Sequence, residues 1–243
     1  MPHASIVLPT YNEKETLPTL LGRLGEIAAR SHLDWEAVVV DDSSPDGTAD
    51  AAARAAAALR RTLPVNILTR PAKSGLSSAV LDGVRRSRGD VIVVMDGDLS
   101  HPADVVPRLL GAVDAGADVA VGSRYAAGGG IARWPLGRRV LSWGATLLAR
   151  VLLGVRVRDP MSGFFAARRD VFDRTRFEGL GYKLLLELLA SGPARVVEVP
   201  YLFAERAGGR SKLGGGEILT YLRLLGRLWV RRYGAGRGVR TAG

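Results

Sequence analysis

The chain has 243 residues, no cysteine and a formal net charge of +10. That length can bury a full core, as one large domain or one domain with an appendage, and the lack of cysteine excludes disulfides, thiolate metal sites and cysteine nucleophiles. The charge is segregated: residues 1–123 carry 12 Lys and Arg against 16 Asp and Glu, whereas residues 124–243 carry 22 against 8, so the second half is suited to meet a phosphate group, a nucleic acid or an anionic lipid surface.

The N-terminus runs straight into the apolar stretch 4–9 with no basic region and apolar core before it, so no secretory signal is expected. Apolar runs at 5–8, 37–40, 65–68, 91–95 and 119–121 read as strands. Between them, helical patterns cover about 14–30, 48–61, 75–87 and 103–115. Strand and helix in alternation predict an α/β fold with a mostly parallel sheet and helices on both faces. The Ala-rich stretch 51–58 predicts a helix with small side chains packed close to the sheet. The second half is less regular. A Gly-rich loop at 126–130 precedes a helix over about 136–153, which is too short and too charged for a comfortable membrane span. Residues 196–203 read as a further strand, and a last helix covers about 217–233. That helix carries Ile218, Tyr221, Leu222, Leu225, Leu228 and Trp229 on one side and Arg223, Arg227 and Arg231 at i, i+4 and i+8 on another. It has two readings: an amphipathic helix lying in a membrane interface, or a core-facing helix with a solvated back. The Gly- and Arg-rich tail 234–243 is expected to be disordered.

Three segments follow predicted strands and carry the polar residues of a site. Pro9-Thr10-Tyr11-Asn12-Glu13 offers a ring to stack on a base and a carboxylate to accept hydrogen bonds from a base or ribose, although Thr10 or Asn12 could equally cap a helix. Asp41-Asp42-Ser43-Ser44-Pro45-Asp46-Gly47-Thr48 places an acid where α/β proteins commonly hold a nucleotide, with Asp42 assigned to the ligand and Asp46 to the turn or cap. Asp96-Gly97-Asp98 emerges where the run 91–95 ends. Two carboxylates there suit a hard cation, Mg²⁺ or Mn²⁺, held against a diphosphate. His101, beside Pro102, reads as the start of a helix rather than a ligand.

Taken in order, these segments resemble the GT-A family 2 glycosyltransferases, and more narrowly the dolichol- and polyprenol-phosphate mannose synthases through Asp41-Asp42-Ser43-Ser44-Pro45-Asp46. The resemblance continues through Gly122-Ser123-Arg124-Tyr125, Gly129-Gly130 with Trp134, Arg138 and Ser142, and Asp159-Pro160-Met161-Ser162-Gly163-Phe164. It ends with Gly181-Tyr182, Glu187, Arg206 and Ser211-Lys212-Leu213-Gly214, so it spans about 5–233.

The resemblance implies one GT-A (Rossmann-like) domain over 1–233, with 1–123 holding a nucleotide sugar and 124–233 an acceptor. It implies inverting transfer of mannose from GDP-mannose to a polyprenyl (dolichyl-type) monophosphate, assisted by Mg²⁺ or Mn²⁺. The donor would meet Pro9, Tyr11, Glu13, Val40, Asp42, Asp96, Gly97, Asp98, Arg206 and Lys212, with Asp96 and Asp98 on the metal. The acceptor phosphate would meet Arg124, Arg138 and Ser142, and Asp98 and Arg124 would be catalytic. Ser100 stands where some members carry a metal-binding Gln; its shorter hydroxyl leaves that ligand to water. The acceptor chemistry agrees with this. A phosphate monoester with a second pKa of about 6 is largely dianionic at neutral pH, so it attacks without a strong base and needs cations around it. Glycines near Arg206 and Lys212 fit a mobile lid. The polyprenyl tail requires peripheral placement at the membrane, on its cytoplasmic face, through the two late helices or a separate membrane-anchor protein. A UDP-sugar donor is the alternative reading. A non-catalytic basic module is a remote one, and no nucleic-acid partner is expected.

Overall fold

The computed structural model describes residues 3–31, 34–132, 136–178, 183–192, 194–204 and 215–233. Strands β1 (Ala4–Thr10), β2 (Trp35–Asp41), β3 (Val65–Thr69), β4 (Val91–Val94) and β5 (Val119–Ser123) alternate with helices α1 (Leu17–Arg30), α2 (Thr48–Leu59), α3 (Leu76–Arg86) and α4 (Val106–Asp114). The predicted α/β alternation is therefore present. With β7 (Phe165–Arg168) and β8 (Val196–Pro200) they form one seven-stranded sheet of order β3-β2-β1-β4-β7-β5-β8, and all its pairings are parallel except those of β7.

Side-chain alternation along the strands builds two cores. Ile6, Leu8, Ala37, Val39, Val91 and Val93 point to one face, where Leu20, Leu24, Ala52, Leu109 and Leu110 of α1, α2 and α4 cover them. Val7, Val38, Val40, Ile92 and Val94 point to the other, under Val80 of α3, Leu153 of α5 (Leu136–Leu153), Leu186 of α7 (Leu184–Ala190) and Leu228 of α8 (Gly215–Tyr233). Each such leucine contributes roughly 1.5–3 kcal/mol by leaving water. Of the alanines at 51–58 only Ala51 and Ala52 are buried, Ala52 in the first core, and α2 also packs closely on α1. A Cβ on Gly25 of α1 would stand 2.6 Å from Leu59 of α2.

Two features differ from the sequence reading. Strand β7 (Phe165–Arg168) was not foreseen; it runs antiparallel between β4 and β5. Its sequence, Phe-Ala-Ala-Arg, is too short for a periodic signal and has only one residue of high strand propensity. Helices α6 (Arg169–Asp173) and α7 are similarly short. The expected strand over 196–203 is two strands: β8 (Val196–Pro200) stays in the main sheet, and β9 (Leu202–Phe203) pairs with β6 (Gly130–Ile131). The helix expected at 103–115 opens as a 3₁₀ turn, Ala103–Val105, before α4, where Pro107 sits in the first turn and needs no N–H partner.

Helices α5 and α8 pack together, with Tyr221 Oη donating to the Ala145 carbonyl at 2.6 Å. Among the described residues no helix is long and apolar enough to cross a membrane. The tail 234–243 lies outside the described residues.

Candidate active site

The order β3-β2-β1 runs one way from β1, while β4 lies on its other side. The chain thus switches direction between β1 and β4, the place where open α/β sheets hold ligands beyond their strand ends. Register brings the three polar segments to that edge: Pro9 pairs with Val40, Thr10 with Asp41, and Val7 with Val94, two residues before Asp96. Each segment contains one non-glycine residue with positive φ: Asn12 at 60°, Ser43 at 64° and Leu99 at 63°. Asn tolerates that region; a branched Leu does so only under the constraint of its surroundings.

The acidic pair is tightly held. Gly97 permits the close approach of two strand-end loops, since a Cβ there would stand 3.0 Å from Thr10 Cγ2 and 3.7 Å from Glu13 Cγ. Asp98 is buried, and its Oδ1 accepts from the Ser100 N–H at 3.0 Å and the Ser100 hydroxyl at 2.5 Å. Ser100 thus orients a candidate ligand. Asp96 is partly exposed, and its N–H donates to His101 Nδ1 at 3.0 Å. His101 is buried, stacked on Phe164 at 5.0 Å and edge-on to Tyr201 and Phe203. Gly163 brings the 159–164 segment against the acids, with its Cβ position 3.6 Å from Asp96 Oδ2.

Around this pair the polar residues of the first two strand-end segments are engaged with their surroundings. Lys73 Nζ lies 3.3 Å above the Tyr11 ring, so a base stacking on that face would have to move it. Glu13 accepts from the Thr16 hydroxyl at 2.9 Å, and its N–H donates to Thr48 Oγ1 at 3.0 Å. Asp42 is buried and carries the 70–75 loop: Oδ1 accepts from Arg70 at 2.8 Å and Ser74 N–H at 3.0 Å, and Oδ2 from Gly75 N–H at 2.9 Å. Asp42 therefore acts here as a loop anchor. Of the two roles expected for Asp46, turn or cap, it takes the turn: Gly47 is the N-cap of α2, and Asp46 accepts from Thr48 N–H at 2.9 Å and Lys14 N–H at 3.2 Å.

Arg124 follows β5 and forms a two-pronged pair with Asp159, 2.8 Å from Nε to Oδ2 and 2.8 Å from Nη2 to Oδ1. Burial works against the guanidinium charge, but the hydrogen bonds and charge of Asp159 outweigh it and raise the pKa. The phenol of Tyr201 nearby is pushed up, mainly by burial. Tyr125 Oη and Ser142 Oγ are 3.0 Å apart, tying the β5 loop to α5. Arg138 lies in α5, but its side chain lies outside the described residues, as do Trp134, Gly181, Tyr182, Arg206 and Lys212.

Several residues escaped the sequence reading. Arg70 and Lys73 follow β3, whose end lies on the same edge as β1 and β2. Applying the strand-end rule to β3 as well would have found them. Asp159 was visible only inside a motif, and His101 gave no sign that it braces Asp96.

The donor set suits a hard cation as far as it goes. Among the described residues no group of three or more His, Cys, Asp or Glu is placed to hold a metal. Two carboxylates at a strand end, completed by diphosphate oxygens and water, would match the way Mg²⁺ and Mn²⁺ are held beside phosphates.

Comparison with known proteins bears on this geometry. Residues 5–176 match the model of the family described as glycosyl transferase family 2. The dolichol-phosphate mannosyltransferase of Pyrococcus furiosus is 44% identical over 227 residues, 92% of this chain and 63% of that one. The chain thus spans somewhat under two thirds of that relative's length. The polyprenol monophosphomannose synthase of Mycolicibacterium smegmatis is 41% identical over 223 residues, 88% of this chain and 82% of that one. Among solved structures, glucosyl-3-phosphoglycerate synthase from Mycobacterium tuberculosis, in complex with Mn²⁺, UDP and glucosyl-3-phosphoglycerate, superposes with a TM-score of 0.69. That match covers 96% of this chain and 80% of the other at 23% identity, which is a likeness of fold.

Proposed function

The chain belongs to glycosyl transferase family 2, and from that premise we propose that it transfers mannose from GDP-mannose to a polyprenyl monophosphate, with inversion at the anomeric carbon. The observation that carries the reading is the meeting of three polar strand-end segments at the β1/β4 switch point. The mannosyltransferase names of relatives at 41–44% identity give the sugar and acceptor class.

In this reading Asp96 and Asp98 hold Mg²⁺ or Mn²⁺ against the donor diphosphate. When bound, the cation would offset the negative charge that builds on the leaving group. Pro9, Val40, Tyr11, Glu13 and Gly97 line the base and ribose end, with Asp42 keeping the 70–75 loop in place. Arg124, Arg138 and Ser142 receive the acceptor phosphate, and Arg206 and Lys212 close over the donor. An oxygen of the dianionic acceptor forms the new bond to the anomeric carbon. The bond to the β-phosphate oxygen breaks, and its electron pair leaves with GDP. No proton has to move, so the site needs charge and alignment rather than a base. Asp159 serves by holding Arg124 in one orientation. The acceptor's polyprenyl tail stays in the bilayer, so the site has to work at the membrane surface.

Purified protein incubated with GDP-mannose, Mg²⁺ or Mn²⁺ and a short polyprenyl phosphate in detergent is expected to yield a lipid-linked mannose. Asp98→Asn is expected to lower the rate at least about 100-fold with the fold intact by circular dichroism. No product from any nucleotide sugar would sink the enzymatic reading. UDP displacing a bound nucleotide probe better than GDP would sink the mannose donor alone.

A further inference from the structure

Helix α8 presents three stripes. Leu224, Leu225 and Leu228 are buried in the second core. Ile218, Leu219, Leu222, Trp229, Val230 and Tyr233 are exposed large hydrophobics. Between these two stripes, on one flank, run Arg223, Arg227 and Arg231, one helical turn apart. That flank borders a groove of about 750 Å³ lined by Arg176, Arg223, Arg227, Arg231, Glu178 and Val230.

The groove is built, not merely charged. Arg231 is fixed by the Arg176 carbonyl at 2.5 Å and Ser191 Oγ at 2.9 Å, and Arg227 by Glu178 at 3.2 Å. Among the described residues no carboxylate lies within ion-pair distance of Arg176 or Arg223. Four guanidinium groups against one carboxylate leave the groove strongly cationic. Guanidinium forks match phosphate oxygens better than any other side chain does.

The surroundings choose the source of that phosphate. Helix α8 packs on α5, which exposes its own apolar residues: Leu136, Val140, Trp143 and Val151 are each at least 62% exposed. Large apolar side chains, two exposed tryptophans and a flanking arginine row are the pattern of a surface that lies in a lipid interface, with its cations at headgroup depth. A site for a soluble anion needs no such border, and a nucleic-acid groove would lack the aliphatic plate.

We propose that the Arg176–Arg223–Arg227–Arg231 groove binds the phosphate of an anionic phospholipid headgroup, while the exposed faces of α5 and α8 enter the interface. None of these arginines belongs to the strand-end segments; the placement at a membrane rests on the proposed function, and vesicle partition is read without sugar transfer, so the two readings fail separately.

Co-sedimentation of the full chain with phosphatidylcholine vesicles, with and without phosphatidylglycerol, tests it. Arg223→Gln is the first variant, because Arg223 makes no ion pair among the described residues. It is expected to weaken partition onto the mixed vesicles about fivefold, and Arg223→Gln/Arg227→Gln about 25-fold. Binding to pure phosphatidylcholine should not change. Arg54→Gln makes the same charge change on α2, across the sheet, and is expected to have little effect. Equal losses from Arg54→Gln and Arg223→Gln would overturn the proposal in favour of general attraction. Equal partition of the unaltered protein onto both vesicle types would overturn it outright. So would Arg223-dependent binding of inorganic phosphate, or of an RNA oligonucleotide, that displaces the protein from neither vesicle.

Discussion

His101 shows how much a single side chain can do without touching a ligand. Because the Asp96 N–H donates to Nδ1, the ring proton sits on Nε2, and the 4.0 Å approach of Nδ1 to Asp96 Oδ2 is not an ion pair. His101→Phe would keep the stack on Phe164 but leave a backbone N–H without its acceptor. The expected cost is about 1–3 kcal/mol of stability and a 10- to 100-fold weaker response to Mn²⁺, read by urea denaturation and by a metal titration of activity. The strand-end placement of Asp96 and Asp98 and the turn at Asp46 were legible, because short-range spacing carries that information. Arg70 with Asp42, and Asp159 with Arg124, were not. Their partners lie 28 and 35 residues away in sequence.

At the scale of elements, the N-terminus of α2 clasps two site loops together. Asp46 accepts from Thr48 and from the Lys14 N–H, the Glu13 N–H donates to Thr48, and the Asn12 N–H donates to Ser44. Burial works against the Asp46 charge, but these hydrogen bonds prevail and hold its carboxyl below the usual value. Asp46→Ala is expected to cost about 1–2 kcal/mol. It should lower the urea midpoint without changing the slope, and raise the KM for the nucleotide sugar more than it lowers kcat. The strands and helices of the first half were readable from period alone. Strand β7 was not, since four residues give no period and their strand partners are chosen by the sheet.

For the molecule as a whole, the end of the sheet remote from the site is pinned by Glu36. Its buried carboxylate accepts from Ser5 Oγ at 2.7 Å, Asn66 Nδ2 at 3.2 Å, and Arg88 at 2.6 Å from N and 2.9 Å from Nη2. One side chain thereby joins β1, β2, β3 and the turn before β4. Burial alone would raise its pKa, but the hydrogen bonds from Ser5 and Arg88 and the Arg88 charge hold it below 4.5. With a folded pKa below the unfolded one, its stabilisation is complete above about pH 4.5 and is lost as pH falls through the folded value. Glu36→Gln is expected to cost about 1–3 kcal/mol at pH 7, with the difference from the unaltered protein shrinking toward pH 3 in urea titrations. Arg88 is mostly exposed, so hydrogen bonding carries more of this than the ion pair. The sequence by itself determined the α/β class, the strand ends that carry polar segments and the amphipathic late helices, because side-chain period and turn residues are local properties. Only the tertiary structure decided that β7 enters between β4 and β5, that Asp42 and Arg124 are each bound to a distant partner, and that Arg176 joins the α8 arginines in one groove. Those are pairings chosen by packing and by the need to satisfy buried charge, and no local pattern records them.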